Sequence, residues 1–298
     1  HSSHRRQRQM CIRDSFRALN KKSIPLKLLN ARITKKTFNK WRRVKKFSNS
    51  VFQNISIAYP QNEETFNYLK KLNVSKIKKI GNLKFFNNQQ SKINKLDNTF
   101  LKNINLKKIW CASSTHPGEE IICADVHINL KKKYKNLLTI IIPRHIHRVN
   151  KIVNEIKSLD LNIVLHSSRP KKLNNTDIYL VDTYGETQKF YHSSDIVFMG
   201  KSISGKGGQN PLEPTNLGST VLYGPNVDNF KDTYKLLNKL KVAYKVNGVK
   251  SLTQSIDKLI TKPNNKKNYL KIAKIGKKIL NETKDEINSL FNNEIKKT

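Results

Sequence analysis

From Ile109 onward the chain repeats one pattern, a short run of apolar and mostly β-branched residues followed by a segment of helical period. The runs "LLTIIIP", "LNIVLH", "DIYLVD", "DIVFMG" and "STVLYG" are separated by segments such as "VNKIVNEIKSL" and "DNFKDTYKLLNKL". A strand that is apolar at almost every position has both faces covered, and the helices between strands supply the cover. The pattern predicts an α/β protein with a doubly wound parallel sheet. Ligands of such sheets bind at the carboxyl ends of the strands.

The alternation is weaker ahead of Ile109. "IPLKLLNAR" (Ile24–Arg32) reads as a short strand ending in a polar loop. "KTFNKWRRVKKF" (Lys36–Phe47) reads as one helix, with Phe38, Trp41, Val44 and Phe47 on a common face. "VFQNISIAYP" is expected to be a strand, "NEETFNYLKKL" a helix, and "IKKIGNLKF" a strand entering a loop. A Lys/Asn-rich stretch from Asn87 to Lys108 serves as a linker or an interdomain helix region. With 298 residues the chain can bury two modest cores. The expected division is 16–105 and 106–298, the second part including the C-terminal helices. Residues 1–15, "HSSHRRQRQMCIRDS", are basic, aperiodic and do not begin with Met. They are expected to be a non-native leader and are left out of the fold.

Lys and Arg total 58 against 21 acidic residues, a formal charge of +37. Such a balance fits an anionic membrane surface or substrate, or nucleic acid. It also fits a general Lys/Asn bias, since both residues are spread through loops and helix backs alike. Aromatic residues are not interleaved with the basic ones as a single-strand stacking platform requires, so no nucleic-acid partner is expected. Cys11, Cys111 and Cys123 have neither metal-ligand spacing nor an even count, which points to reduced thiols. No metal or cofactor is expected. No apolar run is long enough to span a bilayer.

Three polar motifs directly follow strands. "GKGGQNPLEP" (Gly205–Pro214) packs three glycines into four positions. Its Asn210 suits a helix N-cap, Pro211 the first helical residue, and Glu213 the third position of a capping box. Glycines let backbone approach a ligand, and a helix start offers free amides to an anion, while Glu213 suits paired sugar hydroxyls. A nucleotide has both groups. The competing reading is a tight strand-to-helix turn with a good cap. The stretch is neither a Walker A loop nor a GxGxxG fingerprint. Arg144, after "TIIIP", presents a guanidinium for a phosphate or carboxylate, or is a surface residue paired to an acid. His145 and His147 beside it read as structural. "DTYGE" (Asp182–Glu186) places a glycine before a helix start. Three motifs on one rim suggest one site. "STHPGEE" (Ser114–Glu120) is a substrate loop or a capped helix start, and the residues leave both open.

Taken in order, "NARIT", "GNLKF", "ASSTHPGEE", "IIIPRHIHR", "DTYGE" and "FMGKSISGKGGQNPLEPTNLGSTVLYGPNVDNF" resemble the 3-deoxy-D-manno-octulosonic acid (Kdo) transferases, from about Ile24 to the C-terminal helices. The resemblance implies a GT-B fold of two Rossmann-like doubly wound domains, the first incomplete in this chain. It implies a glycosyltransferase that moves Kdo from CMP-Kdo to a lipid A precursor, lipid IVA, at the cytoplasmic face of the bacterial inner membrane. By motif match, CMP contacts Pro143 and Arg144, then Tyr184, Gly185 and Glu186, then Asn210, Pro211, Leu212 and Glu213. The family's transition-state-stabilising Lys falls on Lys84, where a cation offsets charge on the departing phosphate. Many members carry Met where Tyr184 stands.

Two family features are missing. The general-base Glu of a Ser-Val-Gly-Glu type motif does not occur, nor does a second Glu in a Glu-Leu-Trp-Pro type motif. The family's membrane anchor is not found either. The resemblance therefore implies a chain truncated by about the first third, weak or inactive in turnover. The basic "KWRRVKKF" segment suits an anionic bilayer, or is an ordinary amphipathic helix. Two other readings remain: another GT-B sugar-nucleotide transferase or epimerase, and a basic nucleic-acid-binding protein.

Overall fold

The structure is a computed structural model that describes residues 14–86, 96–262 and 266–295. The expected leader lies outside the described residues except for its last two positions, and so does 87–95 of the Lys/Asn-rich stretch. Two compact units emerge. One takes the residues up to Phe86 together with those from Lys274 on, and the other ends at Ala273.

In the first unit a helix over residues 14–21 (α1) precedes strand β1 (Lys27–Ala31), which pairs in parallel with β2 (Ile57–Pro60). The expected single helix Lys36–Phe47 is instead two, α2 (Lys35–Arg43) and α3 (Lys45–Phe52). Val44 breaks it, leaving the helical region at φ −113° and ψ 53°. The break lets Trp41 lie parallel to Phe47 at 6.0 Å and edge-on to Phe52 at 5.2 Å. Val51 and Phe52, expected in a strand, therefore end a helix, and Phe38, Phe52, Ile55 and Leu69 form the centre of this core. Helix α4 (Glu63–Lys71) follows, its first turn held by Asn62 Oδ1 accepting from the Thr65 amide at 2.9 Å. The strand expected in "IKKIGNLKF" is reduced to one bridge, Ala58 to Ile77, and then a 3₁₀ turn, Leu83–Phe85.

The second unit matches the alternation. After α5 (Asn98–Ile104) come β3 (Lys108–Thr115), α6 (Glu119–Lys131), β4 (Leu137–Pro143), α7 (Val149–Lys157), β5 (Ile163–Leu165) and β6 (Ile178–Leu180). Next are α8 (Thr187–His192), β7 (Ile196–Met199), α9 (Leu212–Asn216), β8 (Thr220–Tyr223), α10 (Lys231–Lys239), β9 (Ala243–Lys245) and α11 (Val249–Ile260). The seven strands form one parallel sheet in the order β5-β6-β4-β3-β7-β8-β9. Every residue of β4 is buried, which is why that run is continuously apolar. Trp110, Ile141, Phe198 and Leu222 from the strands meet Val126, Ile152 and Ile256 from the helices in the main core. Each such side chain contributes roughly 1.5–3 kcal/mol by leaving water.

The last helix, α12 (Lys266–Ile295), was expected to belong wholly with the second unit. From Lys274 it packs with the first instead. Two glycines make that packing possible. A Cβ at Gly276 would meet the backbone of Phe85, and one at Gly81 would lie 2.9 Å from Ile279 Cδ1. Farther along, Glu286 accepts from Tyr59 and Lys78, and its carbonyl accepts from Lys27 Nζ at 2.7 Å.

Candidate nucleotide site

β3 comes first in the large sheet and lies near its middle, with β4 on one side and β7 on the other. The connections leaving β3 and β7 run to opposite sides, and a crevice opens at such a switch point. The two loops touch there. Gly200, just past β7, donates its amide to Ser113 at 2.8 Å, and a Cβ on it would lie 2.6 Å from Thr115 Cα. Only glycine permits that approach.

The carboxylate of Glu119, at the head of α6 and fully buried, organises both loops. Its Oε2 accepts the amides of His116 at 3.0 Å and Lys201 at 2.7 Å. Its Oε1 accepts those of Ser202 and Ile203 at 3.0 Å and of Ser204 at 3.3 Å. Five N–H partners offset the cost of burying the charge. Glu120 beside it accepts from Thr115 Oγ1 at 2.9 Å and from both terminal nitrogens of Arg148, at 2.9 and 3.1 Å. "STHPGEE" is therefore a helix start, with Gly118 in the left-handed region at φ 87° and both carboxylates turned inward.

The next part of the glycine loop is held by its carbonyls. Gly207 O accepts from the Asn229 amide at 3.1 Å, Gln209 O from Tyr234 Oη at 3.0 Å, and Ile203 O from Asn226 Nδ2 at 2.9 Å. Gly207 and Gly208 have φ of 91° and 67°, and the Asn229 and Val227 side chains fill the space a Cβ would need. Among the described residues, none of the amides from Gly205 to Asn210 donates to a protein acceptor. A run of fixed carbonyls and free amides at a strand's carboxyl end is an anion cradle.

The expected cap is shifted. α9 begins at Leu212, Pro211 occupies the cap position, and Asn210 Oδ1 accepts from the Leu212 amide at 3.2 Å. A capping box needs a cap N–H for Glu213 to reach, and proline has none. Glu213 consequently leaves its carboxylate exposed in the first turn. Pro143 ends β4 opposite Thr115, and Arg144 donates its amide to Thr115 O at 3.1 Å with its side chain exposed. The buried Tyr191 hydroxyl lies 2.6 Å from Ser113 Oγ and feels the charges of both Arg144 and Glu213.

Tyr184 and Gly185 project from the turn after β6, Tyr184 at 72% exposure and Gly185 at φ 83°. Glu186 is occupied, with Oε2 2.6 Å from His166 Nε2 and 2.7 Å from Thr183 Oγ1, and Oε1 2.7 Å from Lys189 Nζ. Partial burial opposes its ionisation, but Lys189, Thr183 and His166 together hold its carboxyl down at about 2. Lys84 lies in the first unit, on the 3₁₀ turn Leu83–Phe85, where Asn82 Oδ1 accepts its amide at 3.0 Å and its side chain is exposed. A cavity of about 530 Å³ opens elsewhere, by Lys108 and Ile196 at the amino ends of β3 and β7, away from this rim. Among the described residues no group of three or more His, Cys, Asp or Glu is arranged to hold a metal ion. No described helix is long and apolar enough to cross a membrane.

Residues 14–87 match the family described as 3-Deoxy-D-manno-octulosonic-acid transferase (kdotransferase). The 3-deoxy-D-manno-octulosonic acid transferase of Rickettsia bellii is 31% identical over 281 residues, which cover 91% of this chain and 66% of that protein. The chain belongs to the Kdo transferase family. It spans 66%, 57% and 45% of the length of three curated relatives that it matches. Among solved structures, the C-terminal CMP-Kdo binding domain of WaaA from Acinetobacter baumannii is similar at TM-score 0.52 and 22% identity, covering 61% of this chain and 91% of that one. Anabaena HepE in complex with UDP is similar at TM-score 0.55 and 12% identity, covering 94% and 77%. The fold of this Kdo transferase family member is of GT-B type.

Some residues build this rim without facing the crevice. Glu119, Glu120, Arg148 and His166 were not singled out for that work. One signal was present. Adjacent glutamates directly after Pro-Gly are conspicuous in a chain with only 21 acidic residues, and a buried carboxylate at a helix start is a natural acceptor for loop amides.

Proposed function

We propose that the rim of the second unit binds CMP-Kdo, and that the chain serves transfer of Kdo to a lipid A precursor at the cytoplasmic face of the inner membrane. The observation that carries this reading is the free-amide run Gly205–Asn210, held through its own carbonyls by Asn229 and Tyr234 directly after the amides that Glu119 gathers, at the same end of the sheet as Arg144 and Glu213. The amides and the Arg144 guanidinium take the phosphate. Glu213, exposed and unused by its own helix, accepts from the ribose hydroxyls. Pro143, Tyr184, Gly185, Asn210, Pro211 and Leu212 shape the nucleoside pocket through backbone and ring surface, and Glu186 fixes its turn through His166 and Lys189. The resemblance assigns Lys84, in the first unit, to charge building on the leaving phosphate. Supporting this, a WaaA domain of similar fold is described as CMP-Kdo binding, and the Rickettsia relative as a Kdo transferase. The general-base motif of the family does not occur in these 298 residues.

The test is calorimetric titration of CMP, with UMP as control, into the full chain and into Glu213→Ala. CMP is expected to bind in preference to UMP. Glu213→Ala should weaken CMP by about 10–150-fold, the value of charge-assisted hydrogen bonds of 1.5–3 kcal/mol. Equal binding of UMP would widen the reading to sugar-nucleotide enzymes of the same fold. No binding of either nucleotide to folded protein would overturn it.

A further inference from the structure

Three imidazoles crowd the rim beside the crevice, and none of the donor contacts above uses them. His116, in the loop after β3, stands edge-on to His145 with ring centres 5.8 Å apart, and His145 lies 5.6 Å from His147. His116 is anchored in two ways. Its Nδ1 lies 3.0 Å from the Ser114 carbonyl, so that nitrogen carries the proton, and Nε2 has no protein partner among the described residues. Its amide shares Glu119 Oε2 with the amide of Lys201, which ties the ring to the start of the glycine loop. Arg144, next to His145, is joined through its amide to Thr115, the residue before His116.

The charges acting on His145 are all basic: His116, His147, Arg144 and Arg148. The two carboxylates that α6 brings to this end of the sheet are already committed, Glu120 to Arg148 and Glu119 to the five amides. Partial loss of hydration, followed by these cations, holds the His145 ring below the ordinary histidine value. A cluster of basic groups beside which the α6 carboxylates are already paired is poised for an anion.

We propose that His116 and His145, together with Arg144, form a second anion subsite beside the glycine loop, which receives a negatively charged group of the donor and takes up a proton from solvent as it does so. The inference rests on the donor reading above. CMP-Kdo offers two such groups, its phosphodiester and the sugar carboxylate. An anion between the rings cancels the field that disfavours imidazolium, so the ring's proton affinity is higher in the complex than in the free protein. The sign follows. Affinity is greatest at low pH and falls as pH rises through the window between the free and the bound values.

Two ligand conditions are compared by calorimetry on the full chain between pH 5.5 and 7.5, each in two buffers of different ionisation enthalpy. One is the methyl ester of CMP, whose phosphate does not titrate there. The other is free Kdo added to CMP-saturated protein. Binding is expected to take up a fraction of a proton, and affinity to fall about three- to tenfold across the window, within the limit of tenfold per pH unit per proton. Both effects should be lost in His145→Asn and His116→Asn. Uptake with the ester assigns the subsite to the phosphate, and uptake only with Kdo assigns it to the carboxylate. If CMP binds but neither ligand brings a proton with it, or if the uptake survives in both variants, the subsite is overturned and the donor reading stands. If folded protein binds no cytidine nucleotide, both fall.

Discussion

Glu119 at the carboxyl end of the large sheet and Asp177 at its amino end are both buried carboxylates, yet they hold different things. Glu119 gathers amides from two loops that meet a crevice, and the amides just beyond them stay unpaired. Asp177 closes a network on itself. It accepts from the Asn162 amide at 3.0 Å, from Lys131, and from His127 Nε2 at 3.2 Å, while His127 Nδ1 meets Thr139 Oγ1 at 2.9 Å. One neutral tautomer serves that arrangement, with Nε2–H donating to Asp177 and the Thr139 hydroxyl donating to Nδ1. The same chemistry thus seals one end of the sheet and sets out unspent donors at the other.

The largest effect that would test this contrast is expected at Glu119. Glu119→Ala leaves five amides without their acceptor and should cost more than about 3 kcal/mol in denaturant unfolding. Glu119→Gln keeps the shape with weaker acceptance and should lose CMP affinity about tenfold or more. Full CMP binding by the Gln variant would make Glu119 an ordinary core group. Next comes Asp177→Asn, expected to cost about 1–3 kcal/mol of stability with CMP affinity unchanged. A fall in affinity matching that of Glu119→Gln would erase the distinction between the two ends.

The smallest effects are those of pH. Burial, then the charges of Lys131 and Lys107, hold His127 near 3, far below its unfolded value of 6.5. The unfolded chain therefore binds more protons, and stability should decline as pH falls from about 6.5 toward 3. Glu186, held at about 2 against 4.5, begins its own loss only below pH 4.5. His127→Gln should flatten the upper part of a plot of stability against pH and leave the lower part sloping. An unchanged slope above pH 4.5 would assign that acid sensitivity to other groups.

The large sheet was legible because β4, β7 and β8 are buried on both faces and have almost no polar residue with which to mislead. β9 was missed, since its three residues read Ala-Tyr-Lys with two of them exposed. In the first unit the error at Val44 was physical: helical spacing continues through it, and only the packing of Trp41 on Phe47 and Phe52 favours a break. The glycine loop announced itself because positive φ at Gly207 and Gly208 and the close approach at Gly200 demand glycine. The support behind it did not, because Glu119 lies 82–85 residues from the loop amides it holds.

Glu286 has a consequence for synthesis on the ribosome. Its partners Lys78 and Tyr59 leave the exit tunnel 208 and 227 residues before it does. At roughly 5–20 residues per second that interval is on the order of 10–45 s. Throughout it Tyr59 and Lys78 lack their carboxylate, and Phe85 and Gly81 lack the helix that covers them. The second unit, whose strands and helices follow one another closely, can form in the meantime. A nascent chain halted near Ile260 should therefore expose protease-sensitive bonds before Phe86 that release of the full chain protects.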